Sequence, residues 1–291
     1  CITVSASGSA GYVWYHNYKI WASDCNVIRS LDEEKYITKY IYYSLKKLQD
    51  LIYDLKTGSN QPHVYEKDLS KIKIPNLNIE KQKEIVYLME EQENIILEQD
   101  KIIKESNDKI NSLDFVNYDK CKLSDKTKFQ ITIGKRVLQK NIKENGKYPI
   151  YSANVYKPFG YIDELLFDNF DSTFVLWGID GDWMTNYILP NNPFYPTDHC
   201  GVIKCIDNSV NMIYFNYAFN IVGKEYGFNR NLRASIDRIE KLQIPIPDLN
   251  IQNKISNTIL DCKKQIYQSQ LKINNAKIKQ REIMDDIFQI E

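Results

Sequence analysis

KLQIPIPDLNIQNKIS, residues 241–256, restates KIKIPNLNIEKQKEIV, residues 71–86. At a shift of 170, Lys71, Ile74, Pro75, Gln82 and Ile85 meet Lys241, Ile244, Pro245, Gln252 and Ile255. The same shift sets Gly8-Ser9-Ala10-Gly11 against Gly178-Ile179-Asp180-Gly181. A shift of 169 sets Gly58-Ser59-Asn60 against Gly227-Phe228-Asn229, and Asp68 against Asp237. A shift of 174 sets Ile20-Trp21-Ala22-Ser23-Asp24 against Phe194-Tyr195-Pro196-Thr197-Asp198. A period this long denotes two copies of a domain and not a solenoid.

Each Ile-Pro leads into a polar segment dotted with isoleucine. Ile85, Met89, Gln92, Ile96, Gln99, Ile103, Ser106, Ile110 and Leu113 alternate by four and three. Ile255, Ile259, Cys262, Ile266, Ser269, Ile273, Ala276, Gln280, Ile283 and Ile287 keep the same rhythm. That spacing is a heptad seam. Half of the seam is apolar, and the other half is small or polar. Off the seam the segments are charged, which leaves no second face to bury in a globule. The two helices therefore bury their seams against each other, with Ile85, Met89, Ile96, Ile103 and Ile110 pairing with Ile255, Ile259, Ile266, Ile273 and Ile283. From Ile85 to Leu113 such a rod measures about 42 Å, slightly more than one turn of B-DNA at about 34 Å.

The 291 residues allow two domains. Lys+Arg 38 against Asp+Glu 38 gives no net charge, so the chain lacks a whole-molecule basic signature. Any nucleic-acid binding must come from local patches, weak without a partner that adds positive surface. Six cysteines are scattered without a CxxC pair, and His16, His63 and His199 form no ligand pattern. His199-Cys200-x4-Cys205 lacks a partner pair at zinc spacing. The thiols read as buried groups in a reducing cytosol, and the expected location is cytoplasmic. The sequence opens on Cys1 with no signal-peptide pattern and has no apolar run of membrane-spanning length.

The region 117–247 reads as a mixed domain. FQITIGKRV, YPIYSANV, STFVLWGIDG and HCGVIKCI are strands with turn residues between them, and MIYFNYAFNIV has helical spacing. Residues 1–70 repeat the later part of that pattern, with CITVSASGSAGYVWY as strand-turn-strand, CNVIRSL as strand and KYITKYIYYSLKKLQDL as helix. If the second copy begins near Asn117, the first begins at 117 − 170 = −53, so about 54 of its residues are expected before Cys1. The turns carry the candidate DNA-contacting residues: Ser59, Asn60, Gln61 and His63; Lys135 and Arg136; Ser152 and Asn154; Asp180, Asp182 and Trp183; Asn229, Arg230, Asn231 and Arg233. Arg, Asn and Gln match base edges, and Lys and Arg hold phosphates. The plain alternative is turn formation with solvated charge. The Gly-x-Asn loops stand out because both copies place them at the same point.

Enzyme signatures are missing. NNPFY, residues 191–195, has one proline where an adenine methyltransferase motif has two, and GSAG, residues 8–11, opens no helix. Asp163, Asp180 and Asp182 are dispersed over turns without the clustered carboxylates of a metal nuclease. No catalytic or metal-binding residues are assigned.

Two copies of a domain, each with a Gly-x-Asn loop, Ile-Pro, Gln and a heptad helix in that order, resemble the specificity subunit of type I restriction–modification enzymes. The resemblance rests on GSNQPHVYEKDLSKIKIPNLNIEKQKEIV, ITVSASGSAGYV with IWASDCNVIRS, and IEKLQIPIPDLNIQNKI, and covers nearly the whole chain. It implies an α+β fold with two target-recognition domains, the first one truncated, separated by two long antiparallel coiled-coil helices. The expected segments are 1–76 for the end of the first recognition domain and 77–116 for the first spacer helix. The second domain is expected over 117–247 and the second helix over 248–291. The resemblance also implies double-stranded DNA as ligand and methyltransferase subunits as partners, with S-adenosylmethionine held by those subunits and no cofactor in this chain. A restriction translocase subunit joins such assemblies. The alternatives are the recognition portion of a larger fused restriction–methylation enzyme and a coiled-coil scaffold that binds no DNA.

Overall fold

The computed structural model describes residues 1–58, 60–113, 118–206 and 209–289. Two compact units emerge, Cys1–Asn107 with Lys264–Glu291, and Asp108–Lys263. The expected junction between 116 and 117 lies outside the described residues.

Unit 1 opens with three strands, β1 (Ile2–Ser5), β2 (Val13–Tyr15) and β3 (Cys25–Ile28), in the antiparallel order β2-β1-β3. Helices α1 (Thr38–Lys47) and α2 (Gln49–Asp54) follow, with Leu48 breaking what the sequence pattern reads as one helix. A short helix, α3 (Glu66–Leu69), precedes the long α4 (Ile79–Asn111). Strand β1 alternates: Ile2 and Val4 are buried with Val13, Leu45, Ile52 and Val64, while Thr3 and Ser5 are half-buried on the opposite face. Period-two burial of this kind marks a sheet with one core face.

Unit 2 contains β4 (Lys120–Lys122), β5 (Phe129–Ile133), β6 (Tyr148–Tyr151), β7 (Gly160–Ile162), β8 (Phe174–Gly178), β9 (Thr185–Ile188), β10 (Tyr195–Pro196) and β11 (Cys200–Cys205). Then come α5 (Met212–Tyr226), α6 (Ile236–Ile239), β12 (Gln243–Pro245) and α7 (Leu249–Phe288), the last entering unit 1 after Lys263. The main sheet runs β5-β11-β8-β9, all antiparallel. Its middle strands are apolar on both faces. Val175, Trp177 and Ile203 meet Phe215 and Phe219 of α5, whereas Phe174, Leu176 and Val202 meet Phe194, Val155 and Phe170 on the other side. That second cover comes from the segment that also forms the small β10-β6-β7 sheet.

The repeated Ile-Pro-Gln stretch is a joint, built the same way in both units. Gln82 is fully buried; its Oε1 accepts from Ile37 N (2.9 Å), and its Nε2 donates to Lys35 O (3.1 Å) and Leu77 O (2.8 Å). Gln252 accepts from Asn211 N (2.8 Å) and donates to Ser209 O (3.4 Å) and Pro247 O (2.7 Å). Beside these, Tyr40 donates to Pro75 O (2.7 Å) and Tyr214 to Pro245 O (2.8 Å). A buried amide that satisfies three backbone groups ties the start of each long helix to the α1 or α5 end of its own unit.

Within unit 1, α4 and α7 run antiparallel. Ile85 and Met89 pack with Met284 and Ile287, and further along Ser269 Oγ donates to Gln99 Oε1 (3.1 Å) and Ser106 Oγ to Gln265 Oε1 (3.2 Å). The burial of the seam differs from the sequence expectation. Along the middle of the seam Gln92, Gln99, Ser106, Cys262, Ser269 and Ala276 are buried, while Ile96, Ile103, Ile110, Ile266, Ile273 and Ile283 are only half-buried; the apolar residues Ile85, Met89, Ile255, Ile259 and Ile287 are buried towards the helix ends. Small and polar residues thus occupy the centre of the middle stretch, where they permit close approach, and isoleucines flank it there. Ile255 and Ile259 are buried in the core of unit 2.

Candidate nucleic-acid interface

One edge of the unit 2 sheet gathers most of the candidate residues. Strands β5 and β8 end there, and β11 and β9 begin there, because β11 is antiparallel to both β5 and β8. The segment after β5 carries Lys135 and Arg136; Lys135 N donates to Pro196 O (3.2 Å) and Gly134 N to Cys200 O (3.2 Å). A Cβ on Gly134 would overlap the Pro196 carbonyl, and one on Gly178 would overlap the Ala153 carbonyl. Glycine at these two points lets the 134–136 and 152–154 segments close onto the sheet edge. Ser152 Oγ accepts from Thr197 Oγ1 (3.0 Å).

The loop after α5 joins this edge. The helix ends on Gly227 at φ +88, a left-handed conformation that favours glycine. Asn229 then shapes its own loop: its Oδ1 accepts from Asn231 N (2.8 Å) and Leu232 N (3.1 Å), and its Nδ2 donates to Gly227 O (2.8 Å). The loop returns to the sheet where Ala234 N donates to Ile179 O (3.1 Å) and Trp177 Nε1 donates to Ala234 O (2.8 Å).

A charge cluster results. Asp180 pairs through Oδ1 with Arg233 Nε and through Oδ2 with His199 Nδ1. Asp198 lies 3.9 Å from His199 Nε2, and Arg230 pairs with Asp182 at 3.4 Å. Burial pushes the Asp180 carboxyl up, but the His199 hydrogen bond and the Arg233 charge outweigh it, so it titrates below the ordinary carboxylate range. His199 is the member that the turn reading did not single out. The shift of 174 sets Asp24 against Asp198, but the strand registers Ser5↔Cys25 and Gly178↔Cys200 set Asp24 against His199. Likewise, Ser5 and not Gly8 corresponds to Gly178, and the pairs Val4↔Val13 and Trp177↔Thr185 make the hairpin loop one residue longer in unit 1. Loops absorb such insertions without disturbing the sheet.

The remaining candidates divide. Trp183 is drawn inward: its ring packs against Phe219 and Phe228, and its Nε1 donates to Asn220 O (2.9 Å). It is half-buried and anchors the loop. Asn154 caps its own turn through Tyr156 N (3.0 Å) and Lys157 N (3.2 Å). Arg136, Asp182, Arg230 and Asn231 are exposed. In unit 1, Asn60 and Gln61 are exposed at the tip of a loop closed by the Thr57↔His63 bridge. His63 has a framework role there, with Nδ1 2.7 Å from Gln61 O and its ring stacked on Tyr65. Ser59 lies outside the described residues. Asn191, in the motif that only partly matches a methyltransferase, is a turn residue at φ +61. Among the described residues, no group of three or more His, Cys, Asp or Glu is placed to hold a metal, and no helix is long and apolar enough to cross a membrane.

The comparisons agree with the duplicated joint. Residues 1–111 and 115–281 each match the family described as Type I restriction modification DNA specificity domain. The chain belongs to that family. This DNA specificity chain also shares its fold with the type I restriction–modification S subunit from M. genitalium, at 18% identity and TM-score 0.68 over 98% of this chain and 82% of that one. A second solved structure, from a study of complex assembly and conformational transition in the type I system, gives 14% identity and TM-score 0.52 over 88% and 72%. No curated protein matches the specificity chain. Recognition of DNA sequence for a type I restriction–modification system is its function.

Proposed function

We propose that the chain reads a bipartite DNA site, one half-site per unit, with the paired helices setting the distance between the halves. The observation that carries this reading is the duplicated joint at Gln82 and Gln252, which attaches two readers to two helices by the same hydrogen bonds. Base contacts at the rim loops supply specificity, and phosphate contacts supply register. The chain is the non-catalytic member of its complex. Methyltransferase subunits with S-adenosylmethionine perform the modification, a restriction translocase subunit joins them, and the complex works in the cytoplasm. The family match and the assembly described for a protein of similar fold support these assignments.

Inserting one heptad in both helices at the facing positions 99 and 269 tests the ruler. Seven residues add about 10 Å of helix, or about three base pairs at 3.4 Å each. Methylation mapping of the complex should show a longer spacer between unchanged half-sites; an unchanged spacer refutes the ruler.

A further inference from the structure

We propose that Arg233 reads a guanine in the half-site taken by unit 2, and that Asp180 is the positioning residue that aims it. The inference rests on the DNA-reading function above and adds the base and the device. Asp180 Oδ1 engages Arg233 at Nε, the inner nitrogen. Among the described residues no other acceptor pairs with this guanidinium, so the two terminal nitrogens form a forward fork on a side chain that is 58% exposed. That fork matches O6 and N7 of guanine in the major groove.

The mount is rigid. The neighbouring Ala234 is pinned to the end of β8 through both its N–H and its carbonyl, and the Arg233 carbonyl accepts from Arg238 Nη1 (2.7 Å). His199 occupies the second oxygen of Asp180, which keeps the carboxylate from turning away from the arginine. Arg230 has no comparable mount: it and Asp182 are 76% and 66% exposed. Asp180 neutralises the charge of Arg233, which weakens its pull on a phosphate but leaves its terminal donors free for the edge of a base. Guanine is therefore favoured over the DNA backbone as the target of Arg233.

Unit 1 keeps the latch without the arginine. Ser7 donates to Asp24 where Asp180 meets His199, and the position matching Arg233 is His63, turned into its own loop. Among the described residues the guanine-reading device belongs to unit 2.

The test is selection from a pool of duplexes with a randomised core, using the full chain alone and with its methyltransferase subunits, at two salt concentrations. The wild type should enrich a split motif with guanine at one position of one half. Arg233→Lys should lower the preference at that position by between about fivefold and a hundredfold and leave the others unchanged. Asp180→Asn should weaken the same position with no change in salt slope. Replacing that guanine by 7-deazaguanine should weaken the wild type more than it weakens Arg233→Lys. A motif that Arg233→Lys leaves intact overturns the inference alone. So does a uniform loss across sequences with a salt slope reduced by about one phosphate contact. A wild type that enriches no motif overturns the DNA-reading proposal as well.

Discussion

The central strands of the two units occupy the same place in their sheets, yet β1 buries one face and β8 buries both. In β1 the row Trp14–Thr3–Val27 lies open, with Trp14 50% and Val27 51% exposed. In β8 the matching row, Asn186–Leu176–Val202, is covered by Phe194, Val155 and Phe170. The residue types follow the burial. ITVS alternates apolar and polar, whereas FVLWG is apolar throughout. Both units nevertheless keep the helix-side core, the buried glutamine and the tyrosine that donates to a proline carbonyl. The joint to the long helices is common to both units, and the cover of the far sheet face differs between them.

Truncation of the two exposed-face and core tryptophans should separate the units most strongly. Trp177→Ala removes a fully buried ring and its bond to Ala234, and should cost about 3–5 kcal/mol in chemical denaturation. Trp14→Ala should stay within about 0.5 kcal/mol; a large loss there would show that its face is buried in the working protein. The joints predict equality instead. Gln82→Leu and Gln252→Leu each strand three backbone groups, one of them a part-buried donor, and should each cost about 2 kcal/mol. A clear difference between them would break the symmetry of the two attachments. For the seam, a double-mutant cycle on Gln99 and Ser269 should return a coupling of about 1 kcal/mol. None would mean that their hydrogen bond does not set the register.

The smallest effect expected is electrostatic. The folded-state value of Asp180 lies below its unfolded one, so its contribution is present above about pH 4, the unfolded value, and is lost as pH falls through the folded value. Asp180→Asn should flatten the acid limb of unit 2 stability, followed by tryptophan fluorescence.

Much of this architecture was readable from residue order. The 170-residue repeat, the four-three rhythm and the Ile-Pro-Gln stretch announce two readers and two helices, because a long helix needs a continuous seam and a strand needs local periodicity. The rim was half readable. Arg233 and Asp180 stood out as polar turn residues, but Trp183 and His63 were drawn from the same turns and serve the framework. His199 enters the sequence reading only in a His-Cys group that lacks zinc spacing and not among the turn residues, because it sits one place beyond the aligned Asp198 and only strand pairing fixes that register.

The chain's own order therefore set the duplication, the helix pairing and the joint, all of which rest on spacing along the sequence. Which half of each seam is central depended on packing, since isoleucine and serine positions alternate within one heptad and closeness of approach selects between them. The cluster of Asp180, His199 and Arg233 likewise depended on the folded sheet. Its members come from three loops as many as 53 residues apart in the chain, and only the common edge of β8 and β11 brings them within hydrogen-bond reach.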